Sequence, residues 1–123
     1  MLTWTSEELD TIRDTEELTL ASVRRDGTLR RPVVMWVVRD GDDVYVRSVD
    51  SRGSSWFRGA QNRHEARVCA GGVEKDVSLI ETDAANDSVD AAYHAEYEHR
   101  YPSIVPRIVA PTARAATLKL RPR

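Results

Sequence analysis

The spacing of apolar positions changes repeatedly along this chain, and each change marks an element. In "WTSEEL" (Trp4–Leu9), Thr5 and Glu8 stand three apart, as a capping box requires, with Trp4 and Leu9 at the flanking staple positions. That predicts a helix running to about Asp14. From Glu17 the period drops to two, placing Leu18, Leu20 and Ser22 on one face and Thr19, Ala21 and Val23 on the other. Asp26-Gly27 is a hairpin signal. "RPVVMWVV" (Arg31–Val38) is apolar on both faces and rich in β-branched residues, which predicts a central strand with Pro32 at its start or at a bulge. A tight turn at "DGDD" leads into "VYVRS" (Val44–Ser48), and a short helix is expected over Ser54–Asn62. "EARVCA" (Glu65–Ala70) and "VEKDVSLIE" (Val73–Glu81) read as strands joined at Gly71-Gly72.

The helical period then returns, with Val89, Ala92, Tyr93, Glu96 and Tyr97 on one face. Three prolines make Tyr101–Ala115 an irregular stretch, and "ATLKL" (Ala116–Leu120) closes with a strand. Six strands linked largely by hairpins, with helical additions, predict a mainly β, six-stranded antiparallel barrel. The 123 residues suit one domain, expected to span 1–123.

Composition narrows the function classes. The net charge of -2 gives no long-range attraction for nucleic acid or an anionic membrane. No apolar run approaches a membrane span. One cysteine cannot form an internal disulfide, so a cytoplasmic setting is expected. That residue, Cys69, reads as a buried structural thiol, since nothing near it in sequence supplies a base. The arginines of "RRDGTLRRP" lack the interleaved aromatics on which bases stack, which argues against a single-stranded nucleic-acid site. His94 and His99 are five apart on a helix and diverge by about 140°, so they cannot chelate one metal ion from one face. His64 reads as a surface residue. No catalytic acid–base set or nucleophile elbow is visible.

The chemically suggestive stretch is "SVDSRGSSWFR" (Ser48–Arg58). If Ser54 caps the short helix, its first amides and the hydroxyls of Ser51, Ser54 or Ser55 can meet a phosphate. Arg52 adds a bidentate charged donor, Gly53 admits close backbone approach, and Ser48 points toward the same corner. The same composition also suits a solvated turn that merely caps a helix.

"VYVRSVDSRGSSWFRGAQNRHEARVCAGG" resembles the phosphate-binding segment of the pyridoxamine-phosphate-oxidase-like, FMN-binding split barrels. Ser51-Arg52 stand where that superfamily has Ser-Arg, and Gly53 replaces its lysine. "LRRPVVMWVV" is similar to the strand that runs beside the flavin ring, which would place Arg31 and the backbone of Val33 and Val34 near the isoalloxazine, with Trp56 walling the pocket. The hairpin and the "W-x-x-x-x-x-N" spacing resemble the deazaflavin-dependent, nitroreductase-like branch, which uses coenzyme F-420. Over nearly the whole chain, "RRPVVMWVVRDGDDVYVRS", "WFR", "GGVEKDV" and "DAAYHAEY" resemble domain-of-unknown-function family 2255.

The resemblance implies a homodimeric split β-barrel binding FMN or F-420 and acting as an oxidoreductase on a small organic molecule. A non-catalytic barrel carrying a flavin, haem or small metabolite is the alternative. The flavin supplies the redox chemistry in the first reading, so the lack of an acid–base set fits it.

Overall fold

A computed structural model describes residues 3–15, 17–48 and 55–123, apart from the side chains of residues 55 and 62. Helix α1 (Ser6–Asp14) is followed by strands β1 (Glu17–Ser22), β2 (Val33–Asp40) and β3 (Asp43–Arg47). Helix α2 (Ser55–Arg63), strands β4 (Glu65–Ala70) and β5 (Val73–Glu81), and helix α3 (Asn86–Tyr97) come next. Two four-residue helices, α4 (Val105–Ile108) and α5 (Pro111–Arg114), precede the last strand, β6 (Thr117–Pro122). The strands close into an antiparallel barrel in the order β1-β2-β3-β6-β5-β4. Strand β1 closes it by pairing with β2 on one side and β4 on the other.

The predicted alternation accounts for the barrel interior. Leu18 and Leu20 of β1, Val44 and Val46 of β3, and Leu118 and Leu120 of β6 are all buried in one cluster. Turns close on the glycines expected: Gly41, Gly71 and Gly72 all have positive φ, which a residue with a Cβ rarely adopts. Helix α1 carries the complete capping box, with Thr5 Oγ1 accepting from the Glu8 amide at 3.1 Å and Glu8 Oε1 accepting from the Thr5 amide at 2.9 Å. Trp4 is buried and donates from Nε1 to the Leu120 carbonyl at 3.0 Å, tying the start of α1 to β6.

Outside the barrel, α3 lies over β2. Val89, Tyr93 and Tyr97 are fully buried against Val38 and Tyr45, with Val105 and Ile108 of α4 completing this second core. Fully burying such side chains contributes roughly 1.5–3 kcal/mol each. The phenols also tie α3 to the strand: Tyr93 donates to the Trp36 carbonyl at 3.2 Å and Tyr97 to that of Val37 at 2.5 Å. Burial pushes both phenols above the ordinary tyrosine range, so both remain protonated donors. No helix among the described residues is long and apolar enough to cross a membrane.

Three expectations need correction. Cys69 is exposed, not buried: in β4 the inward positions are Ala66, Val68 and Ala70, and Cys69 takes the opposite face. Its Sγ lies 3.7 Å from Glu74 Oε2 on the outside of the barrel. The stretch 101–115 is not irregular throughout. Pro106 and Pro111 sit at the first or second positions of α4 and α5, where a missing N–H costs nothing, so they start short helices instead of breaking one. Strand β2 begins at Val33, beyond Pro32, and continues to Asp40; it is covered on both faces only after Val34, which is 56% exposed.

Candidate functional site

A groove of about 320 Å³ opens beside the start of β2. Residues Val33–Trp36 form one side of it, and Trp56 of α2 and Ile104 and Ile108 form the others. Glu17 and Arg47 are its ionisable lining residues. Arg47 ends β3 and Trp56 lies at the start of α2, so the groove is bordered by described residues on both sides of the segment 49–54 in sequence.

Of the residues predicted for the site, the structure brings Val33, Val34 and Trp56 together in this groove. Arg31 is exposed and does not line it. Ser48 is buried; its amide donates to the Ala116 carbonyl at 3.2 Å, and it is not a lining residue either. Ser51, Arg52, Gly53 and Ser54 lie outside the described residues.

Arg47 is the residue that sequence reasoning missed. Its side chain has no exposed surface. Nε donates to Thr117 Oγ1 at 2.9 Å, one terminal nitrogen to Asp90 Oδ1 at 2.5 Å and the Ile108 carbonyl at 3.2 Å. The other terminal nitrogen donates to the carbonyl and Oδ1 of Asn86 at 3.2 and 3.1 Å. The guanidinium also lies 5.6 Å from the centre of the Tyr93 ring. The network fixes the backbone at Ile108, and so one wall of the groove. One signal was available: Asn86 and Asp90 fall on the same helical stripe as Tyr93 and Tyr97, and polar residues on a buried stripe require a partner.

Trp36 connects the groove to the aromatic core. It stacks on Tyr97 with ring centres 4.5 Å apart and planes within 2°, and lies 4.9 Å from Tyr101. Away from the groove, His94 Nδ1 pairs with Glu98 at 2.9 Å on an exposed helix face. Among the described residues, no three His, Cys, Asp or Glu side chains gather closely enough to hold a metal ion.

Residues 8–120 match the model of a family described as "Uncharacterized protein conserved in bacteria (DUF2255)". No curated protein matches the chain. Among solved structures it is similar to the conserved hypothetical protein Rv2991 of Mycobacterium tuberculosis, with 14% identity and a TM-score of 0.66 over 98% of this chain and 80% of that one. It is also similar to HutZ, the haem storage protein of Vibrio cholerae, with 14% identity and a TM-score of 0.63 over 96% and 89% of the two chains. An F420 reductase matches with 18% identity and a TM-score of 0.54 over 93% and 90%. At these identities the likeness is one of fold, and the fold is the split barrel.

Proposed function

The chain belongs to the DUF2255 family, and we propose that it binds a phosphorylated flavin-type cofactor, FMN or the deazaflavin F420, as an oxidoreductase for a small organic molecule. The observation that carries this reading is the groove. It unites Val33 and Val34 with Trp56, three residues assigned to a flavin site on sequence resemblance, though β2 and α2 are distant in sequence. Its volume of about 320 Å³ falls within the roughly 300–1,000 Å³ typical of ligand pockets, and its walls are mainly apolar, as a planar ring requires. An F420 reductase with the same fold is consistent with it.

In this reading the cofactor supplies the hydride chemistry. Trp56 and the Val33–Val34 segment hold the ring and exclude water. Ser51, Arg52, Gly53 and Ser54 hold the phosphate. Arg47 positions the Ile108 wall. On the open side of the groove Val34 and Ile104 are 56% and 39% exposed. A second copy of the chain covers that side in a homodimer.

Titrating the purified protein with FMN, F420 and haemin, while following tryptophan emission and visible absorbance, tests the reading. FMN or F420 is expected to bind with micromolar affinity and quench tryptophan. Failure of both overturns it, and haemin binding in their place moves the protein to a non-catalytic carrier.

A further inference from the structure

Glu17 opens β1 on the outer face of the barrel, directly opposite Trp36 in the β1–β2 ladder. Side chains opposed in this way stand about 4.5–5.5 Å apart at Cβ. Both line the groove. Glu17 is exposed and has no cationic partner among the described residues. Arg47, the other ionisable lining residue, has no exposed side-chain surface, and Asp90 meets its charge. The charge that the groove presents to a ligand is therefore negative.

The rest of the lining is apolar or aromatic. Trp36 and Trp56 bring two indoles to it, and Tyr97 stacks against the first. An indole face attracts a cation, most strongly where water is excluded. Val34 and Ile104 at the same opening hold no water by hydrogen bonds, so a charge pair formed there is screened less than one in open solvent. The field of the carboxylate also reaches inward: burial is the main cause that holds the Tyr97 phenol above its ordinary range, and Glu17 is among the charges that add to it. An anion entering the groove would meet like charge. A cation would meet a carboxylate and an indole together.

We propose that the groove binds a planar aromatic cation, with its positive end between Glu17 and Trp36, and that such cations are the substrate class of the protein. Only the word substrate rests on the flavin reading above; the cation site stands on Glu17, the two indoles and the matched charge of Arg47. Glu17 gives direction and selectivity, and the indoles and valines hold the flat ring.

N-methylquinolinium and methylnaphthalene share a shape and differ by one charge, and naphthoate carries the opposite charge. Equilibrium dialysis of the three against wild type, Glu17→Gln and Glu17→Lys tests the site without any flavin. Neither substitution should move the thermal midpoint by more than about 3 °C, because an exposed side chain at a strand end contributes little to folding. Wild type should bind the quinolinium about tenfold more tightly than methylnaphthalene, the effect of one charge-assisted contact. Glu17→Gln should abolish that preference by weakening the cation alone, and Glu17→Lys should turn it toward naphthoate. Equal binding of the three by wild type, binding of none, or a preference that survives Glu17→Gln overturns the site. If Glu17→Gln changes the sedimenting mass and leaves the ligand preference alone, the carboxylate belongs to a contact between copies and the site is likewise overturned. Wild type that binds the quinolinium but neither FMN nor F420 loses the flavin reading alone. Wild type that binds a flavin yet shows no preference for the cation loses the cation site alone.

Discussion

Arg47 is a guanidinium with no exposed surface, held by groups from three other elements: Asn86 and Asp90 of α3, Ile108 of α4 and Thr117 of β6. Removing one partner of such a buried pair leaves the other uncompensated, at a cost of about 3–5 kcal/mol. Here the lower end applies, because Arg114 Nε remains 3.2 Å from Asp90 Oδ2 and Asp90 keeps some solvent contact. Arg47→Met should therefore lower stability by about 3 kcal/mol, read as a shifted urea midpoint. Adding Asp90→Asn should cost less than the sum of the two single changes, since they break the same contact. Arg47 was illegible in "VYVRS" because alternation reports which face a residue takes, not what an α3 residue some forty positions away brings to it. Cys69 shows the opposite failure. In "EARVCA" the two-residue period sets Cys69 opposite the buried Val68, and the structure follows that period although thiols are among the most often buried side chains.

At the scale of elements, α1 is the part most fully written in the sequence, since its cap and staple are local. Glu8 carries both halves of its attachment: it closes the capping box and pairs with Lys75 of β5 at 3.0 Å. Burial pushes its carboxyl up, but the Thr5 amide and the Lys75 ammonium outweigh this and hold it below the ordinary carboxylate range. A folded-state value below the unfolded one means the stabilisation is present above the unfolded pKa. It is lost as pH falls from the unfolded value through the folded one. Glu8→Gln should cost up to about 1 kcal/mol at pH 7, and the difference from wild type should shrink as pH falls through that range. Thr5→Ala should cost about 1 kcal/mol at either pH, because the hydroxyl does not titrate. Urea unfolding of the three proteins at pH 7 and pH 3 separates the two contributions. The segment 101–115 was less legible because proline has two local meanings. It breaks a helix interior but starts a helix at the first turn, and only the burial of Val105 and Ile108 under α3 decides between them.

At the scale of the whole molecule, strand count and hairpins were enough to predict a barrel, because each hairpin is a local event. Closure was not local. It depends on β6 entering between β3 and β5 and on β1 meeting β4, pairings between residues far apart in sequence. The groove is of the same kind, assembled from positions between Glu17 and Ile108. Resemblance, not periodicity, pointed to Val33, Val34 and Trp56.

What the closed barrel leaves uncovered leads to the prediction at this scale. A strand with two apolar faces needs two covers; β2 has the barrel interior and α3, but Val34 remains 56% exposed beside Ile104 at 39%. Both line the same groove, and exposed apolar side chains gathered at one place are the usual material of an interface. The proposed homodimer buries it, so wild type should sediment at micromolar concentration with twice the 13.9 kDa chain mass. Val34→Lys should return it to the mass of a single chain. The barrel should lose no more than about 0.5 kcal/mol intrinsically, because an exposed side chain contributes little to the monomer fold. A wild type that sediments as a single chain counts against the dimer. A Val34→Lys variant that stays dimeric would move the interface elsewhere and leave the groove to the ligand alone.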